Sequence, residues 1–148
     1  MKNAFVALTL SLACTLATGC AASAKQVEVK GGNDDLIKFA GDWEGQFEGI
    51  DTGRTGTIKL SFQVGRHTAD GEVTLAGSTP LKISFIEVDG GQISGRVDPY
   101  TDPSCNCEVT TEFLGFVKGD VVDGTFTSEM IRDGKQLRGN WSMARKDG

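Results

Sequence analysis

The chain predicts an all-β protein: an eight-stranded antiparallel up-and-down meander barrel preceded by a short N-terminal helical turn. One phrase, apolar-x-Gly-x-apolar, recurs as Trp43-x-Gly45-x-Phe47, Ala69-x-Gly71-x-Val73, Ile93-x-Gly95-x-Val97, Phe113-x-Gly115-x-Val117, Val122-x-Gly124-x-Phe126 and Leu137-x-Gly139-x-Trp141. A period of two puts these residues on one face of a strand. Twenty glycines against three prolines favour short strands joined by tight turns over helices. Asp89-Gly90-Gly91, Lys118-Gly119-Asp120 and Asp133-Gly134 supply such turns, where glycine provides positive φ. The 148 residues suit one domain with a proper core. Fifteen basic and twenty acidic residues are spread without blocks or a basic aromatic patch, which argues against nucleic-acid binding.

The first residues read as an export signal: Lys2, then an apolar run from Ala4 to Ala13 too short to span a bilayer. Leu16-Ala17-Thr18-Gly19-Cys20 resembles the lipobox of bacterial lipoproteins, in which the cysteine is acylated and becomes the mature N-terminus. That resemblance implies a signal peptide over 1–19, lipidation of Cys20 and outer-membrane attachment facing the periplasm, with the membrane contacted through acyl chains. The competing reading is cleavage after Ala22-Ser23-Ala24, which yields a soluble periplasmic or secreted protein. Residues 20–35 are small and polar and read as a flexible tether. Asn33-Asp34-Asp35 offers an N-cap and two acids for a helical turn over Leu36-Ile37-Lys38-Phe39, and the barrel is assigned to 36–148.

Eight strand-like segments follow: 42–48, 55–64, 71–76, 81–88, 92–98, 107–118, 121–129 and 136–145. In the second, Ile58, Leu60, Phe62 and Val64 alternate with polar residues, as a half-buried strand does. Eight strands in sequential hairpins can close on themselves and remove both sheet edges. If the first strand rises from floor to mouth, the short turns gather at the floor. The mouth then receives the longer loops 49–54, 77–80 and 99–106, and function is expected with them.

The run from Asp35 to Trp43, a short helix followed by Gly41-x-Trp43 on the first strand, resembles the calycins, meaning lipocalins, fatty-acid-binding proteins and avidins. Arg145, ending the last strand, is similar to the basic residue that lies against that tryptophan in the family. The resemblance implies a cation–π contact between Arg145 and Trp43 of roughly 0.5 to 2 kcal/mol that pins the first strand to the last. Closure is expected to set the strand of Trp141 against that of Trp43, and the interior of an eight-stranded barrel holds either packed side chains or one small ligand.

Cys105-Asn106-Cys107 sits where the longest mouth loop enters the sixth strand. Three readings stand: a local disulfide, a soft-metal site completed by Asp98, Asp102 or Glu108, and a redox or intermolecular thiol pair. The lone His67 falls in a floor turn as a solvated residue, and no Gly-x-Ser-x-Gly or phosphate loop is present. No catalytic residue, resident metal or cofactor is therefore expected, apart from the thiol-redox option at the two cysteines. The leading expectation is a barrel binding a small apolar or amphipathic ligand at its open end, through Phe47, Arg54, Phe62, Phe85, Tyr100, Phe113 and Phe126. The alternative is a protein-interaction or inhibitor module with a filled core, acting through the mouth loops or through Leu114 and Phe116, which face outward on the sixth strand.

Overall fold

The structure, a computed structural model, describes residues 26–146. Its elements are β1 (Gln26–Lys30), α1 (Asn33–Phe39), β2 (Gly41–Gly49), β3 (Thr55–Phe62), β4 (Thr68–Leu75), β5 (Pro80–Leu81), β6 (Ile83–Asp89), β7 (Gln92–Asp102), β8 (Cys107–Lys118), β9 (Val121–Met130) and β10 (Gln136–Arg145). The period-two pattern does what the sequence requires of it. Along β3, Gly56, Ile58, Leu60 and Phe62 are buried while Thr55, Thr57 and Lys59 face solvent. Antiparallel ladders link β6 through β10, and β10 pairs with β2, which continues to β3 and β4. The β10–β2 ladder sets Trp141 opposite Phe47 and Arg145 opposite Trp43. The sheet therefore shuts into a cylinder.

The closure is not the expected eight-stranded antiparallel one. Nine strands form the wall and β5 is an extra short strand; the ninth is β1. The segment expected to be part of a tether lies between β4 and β6, antiparallel to the first (Gln26 opposite Asp70) and parallel to the second (Val29 opposite Ile86). β4 rises and β6 descends, so any strand inserted between them must run parallel to one of the two. A closed ring with an odd number of strands cannot be wholly antiparallel. The signal is in the sequence: Gln26-Val27-Glu28-Val29-Lys30 alternates, and Val27 and Val29 are buried while the other three are exposed. Five residues of alternation bury two valines that a tether would leave in water.

The expected strand 81–88 is divided for the same reason. Leu81 pairs with Val73 of β4, Lys82 carries the chain across the seam, and Ile83 pairs with Val97 of β7. β1 thus fills the floor half of the seam and β5 the mouth half. Two smaller differences accompany this. β3 ends at Phe62, leaving Val64 exposed in the following turn. The helix starts at Asn33, with Gly32 at the cap position and no side-chain cap bond, and buries Leu36 and Phe39 as a floor plate.

Inside, aromatics lie over glycines directly across the ladder. Phe47 faces Gly56, Phe113 faces Gly95, Phe126 faces Gly139 and Trp141 faces Gly124. A Cβ at Gly139 would stand 2.1 Å from Phe126 Cζ, and one at Gly124 would stand 2.3 Å from Trp141 Cε2. These glycines are the space the rings occupy, so the repeated motif fills the barrel instead of hollowing it.

Candidate binding site at the barrel mouth

Among the described residues, a cavity opens inside the barrel at its mouth. A cavity of about 60 Å³ is lined by residues that include Phe47, Leu75, Leu81, Val97, Tyr100 and Phe126. Phe113 and Trp141 form its base, edge to face with centroids 6.0 Å apart, and Phe47 meets Phe126 in the same way at 5.7 Å. One wall is polar. Tyr100 Oη lies 3.4 Å from Thr111 Oγ1, which lies 2.6 Å from the buried Ser128 hydroxyl. The cavity accommodates a few waters or a small fragment, well short of the roughly 300 Å³ that a drug-sized ligand needs.

Of the residues expected to line a ligand site, Phe47, Tyr100, Phe113 and Phe126 meet here. Three do not. Phe62 belongs to the floor, its ring 6.0 Å from Phe39. Phe85 lies beyond an irregularity in the β6 register between Ile83 and Phe85 and pairs with the exposed Arg96. Ile86 and Val88 take the inner face in its place, because both halves of Ile83-Ser84-Phe85-Ile86-Glu87-Val88 alternate but in opposite phase. Arg54 stands on the rim, ion-paired to Asp102, with Nη2 donating to Ser104 Oγ at 2.5 Å.

Asp102 organises that rim, although the sequence marked it only as a candidate metal ligand. Its side chain is 3% exposed. Besides Arg54 it accepts the Ser104 N–H at 2.9 Å and the Ser104 hydroxyl at 3.0 Å, so a buried carboxylate is both paired and hydrogen-bonded. The ion pair ties the β2–β3 loop to the β7–β8 turn. Counted parity from Ile93, Gly95 and Val97 points it outward. Tyr100 and Asp102 return to the inner face after a register shift between Val97 and Tyr100, and Pro99, which has no N–H for the ladder, is a local sign of that shift.

Cys105 and Cys107 are joined as a disulfide at the tip of this turn, so neither is a thiolate free to bind metal. Asn106 between them takes a left-handed φ of 48°, which curls the chain and brings the two Cα atoms to 5.1 Å. Asparagine tolerates that region better than most residues. So small a ring constrains the unfolded chain little: about 1.5 kcal/mol, half of what a roughly 15-residue loop contributes.

Two further carboxylates brace the same end. The Asp51 carboxyl is held below the usual aspartate range, chiefly by the backbone N–H of Arg138 at 2.7 Å, with the Arg138 guanidinium adding to it against partial burial. Asp98 is likewise lowered, first by the Ser84 hydroxyl it accepts and further by Lys82, again against burial.

At the opposite end, Arg145 lies over the Trp43 ring, 4.3 Å from its centroid, and donates to the carbonyls of Lys38 and Ala40. Trp43 Nε1 donates to Phe39 O at 2.7 Å, and Trp141 Nε1 to Thr125 O at 3.1 Å. On the outer wall, Leu114 and Phe116 are 38% and 50% exposed, flanked across the ladders by Ser94, Thr125, Gln92 and Asp123. His67 is exposed in its floor turn. The lipidation candidate Cys20 and the alternative site at Ala24 lie outside the described residues. Compared with known proteins, the chain matches no family model, no curated protein and no solved structure.

Proposed function

We propose that this chain is an exported protein-interaction or inhibitor module, held at a membrane through acylated Cys20 and facing the periplasm, whose barrel is a scaffold and not a container. The observation that carries this reading is the filled interior: aromatics occupy the glycine positions and leave about 60 Å³. A β-barrel with a solid core offers its rim and outer wall for recognition. The rim is stiffened by the Arg54–Asp102 pair and the Asp102–Ser104 hydrogen bonds, and it exposes Ile50 and Ile131. The outer wall adds Leu114 and Phe116 inside a polar surround, the pattern of an apolar contact within a polar rim.

Site-specific photo-cross-linking from position 116 and from position 50, in cells, tests the reading. A discrete protein adduct at either position that is lost in Leu114→Ser or Ile131→Ser supports it. Absence of any adduct, together with a small molecule retained on the purified protein in native mass spectrometry, returns the calycin-like reading. The observation favouring that second reading is the hydroxyl wall of Tyr100, Thr111 and Ser128 beside apolar lining, which suits a small amphipathic group. Release of a Cys20→Ser variant from the membrane is expected; a native protein that is already soluble and begins at Lys25 would remove the acylation part and leave cleavage after Ala24 standing.

A further inference from the structure

The disulfide at the mouth is unusual in what it does not do. Its ring spans a sequence separation of two, so it restricts few conformations of the unfolded chain. Nor is it required to hold the turn. Asp102 accepts two hydrogen bonds from Ser104 and pairs with Arg54, Arg54 donates to Ser104, and Asp102 opposes Cys107 across the β7–β8 ladder. The Ile131 N–H donates to Glu108 O at 2.9 Å on the other side. The bond is also accessible: Cys105 is exposed at the turn tip, whereas Cys107 is half-buried at the start of β8, on the face that carries Val109 and Thr111 inward. A covalent link that adds little stability, lies open to solvent and joins two sulfurs already positioned by other bonds has the attributes of an exchangeable disulfide.

We propose that Cys105–Cys107 is a thiol–disulfide exchange site that accepts electrons from an external dithiol, with Cys105 the sulfur attacked. The thiolate of the dithiol attacks Cys105 Sγ, the Cys105–Cys107 bond breaks, and Cys107 leaves as a thiolate that takes a proton from water. The second thiol of the partner then attacks the mixed disulfide, releasing Cys105 and closing the partner's own disulfide. Two electrons and two protons pass to the cysteine pair. Because the Asp102 network keeps the turn in place, the two thiols stay within reach, and a small disulfide such as glutathione disulfide restores the bond by the reverse sequence. The direction of attack follows from exposure, since access decides which sulfur an external thiolate meets first.

The test uses the full chain extracted in detergent, with dithiothreitol as the reductant and alkylation followed by mass spectrometry as the readout. The native bond is expected to be reduced within about tenfold of its rate in the guanidinium-unfolded chain, because the fold does not shield it. Persistence of the bond until the barrel unfolds overturns the proposal. Treated with glutathione disulfide, Cys107→Ser is expected to form its adduct at Cys105 at least about tenfold faster than Cys105→Ser forms one at Cys107. Equal or inverted rates overturn the assigned direction. The double variant Cys105→Ser/Cys107→Ser is expected to keep the Ile131 and Ser104 amides protected in hydrogen exchange, and loss of that protection overturns the claim that the turn stands without the bond.

Discussion

At the floor, Phe39 at the end of α1 and Trp43 beside it vanish from solvent, and Arg145 lies across the indole. At the mouth, Phe47, Tyr100 and Phe126 remain half-exposed around a small cavity, and polar clips hold the loops. Both ends draw on the same strands, but the glycine–aromatic pairs lie around the mouth cavity and not at the floor. The floor is closed by burying apolar surface, which is non-directional and draws helix and strands together. The mouth is held by Arg54 on Asp102 and the Arg138 N–H on Asp51, both directional, which tie the β2–β3 loop to the ends of β7 and β10. A barrel arranged this way keeps its stability at one end and leaves the other free to present side chains.

The contrast breaks if the two ends respond alike to truncation. Trp43→Ala is expected to cost about 3–5 kcal/mol in denaturant unfolding, whereas Phe47→Ala, from a half-exposed site, should cost clearly less. Equal losses would mean that the mouth is as much core as the floor. Gly139→Ala drives a Cβ into the Phe126 ring beside the mouth cavity, and a penalty of about 1–3 kcal/mol is expected. A neutral result would show that the ring can move and that the interior is less filled than the pairing implies.

Val29→Ala should cost about 1.5 kcal/mol for the two methyls lost. It should also speed amide exchange along the facing edges of β4 and β6, because β1 is what joins them at the floor. Unchanged exchange there would mean that the seam closes without the ninth strand.

The smallest effect is at the mouth and depends on pH. Asp51 and Asp98 have folded pKa values below their unfolded ones, so their contribution is complete above an ordinary aspartate pKa of about 4. It is lost as pH falls through the lowered folded values. Asp35 on α1 is lowered too, chiefly by Lys38. Exchange of the Arg138 amide, and of the Gly90 and Gly91 amides beside Asp35, should therefore rise in that acid window before the buried Phe39 and Trp43 respond. Simultaneous loss at those two would erase the distinction.

Hairpin order, inward faces and the turn residues could be read from the chain, because period-two alternation and glycine at positive φ are local properties. So could the approach of Trp43 and Arg145, once the calycin-like pattern was granted. The ninth strand was written just as plainly, in Gln26-Val27-Glu28-Val29-Lys30, but it is short and precedes the helix, so its place in the wall depends on a seam that exists only after β4 and β6 have taken theirs.

What tertiary structure alone decided is how the interior is used. The same glycines could have made room for a ligand or for rings, and only the cross-strand register shows Phe126 on Gly139 and Trp141 on Gly124. The positions of Phe85 and Asp102 have the same origin, since one register shift on β6 and another on β7 reverse the parity that a residue count would assign. Local periodicity sets which side chains alternate, but the phase of one strand against the next is chosen by packing across the whole barrel.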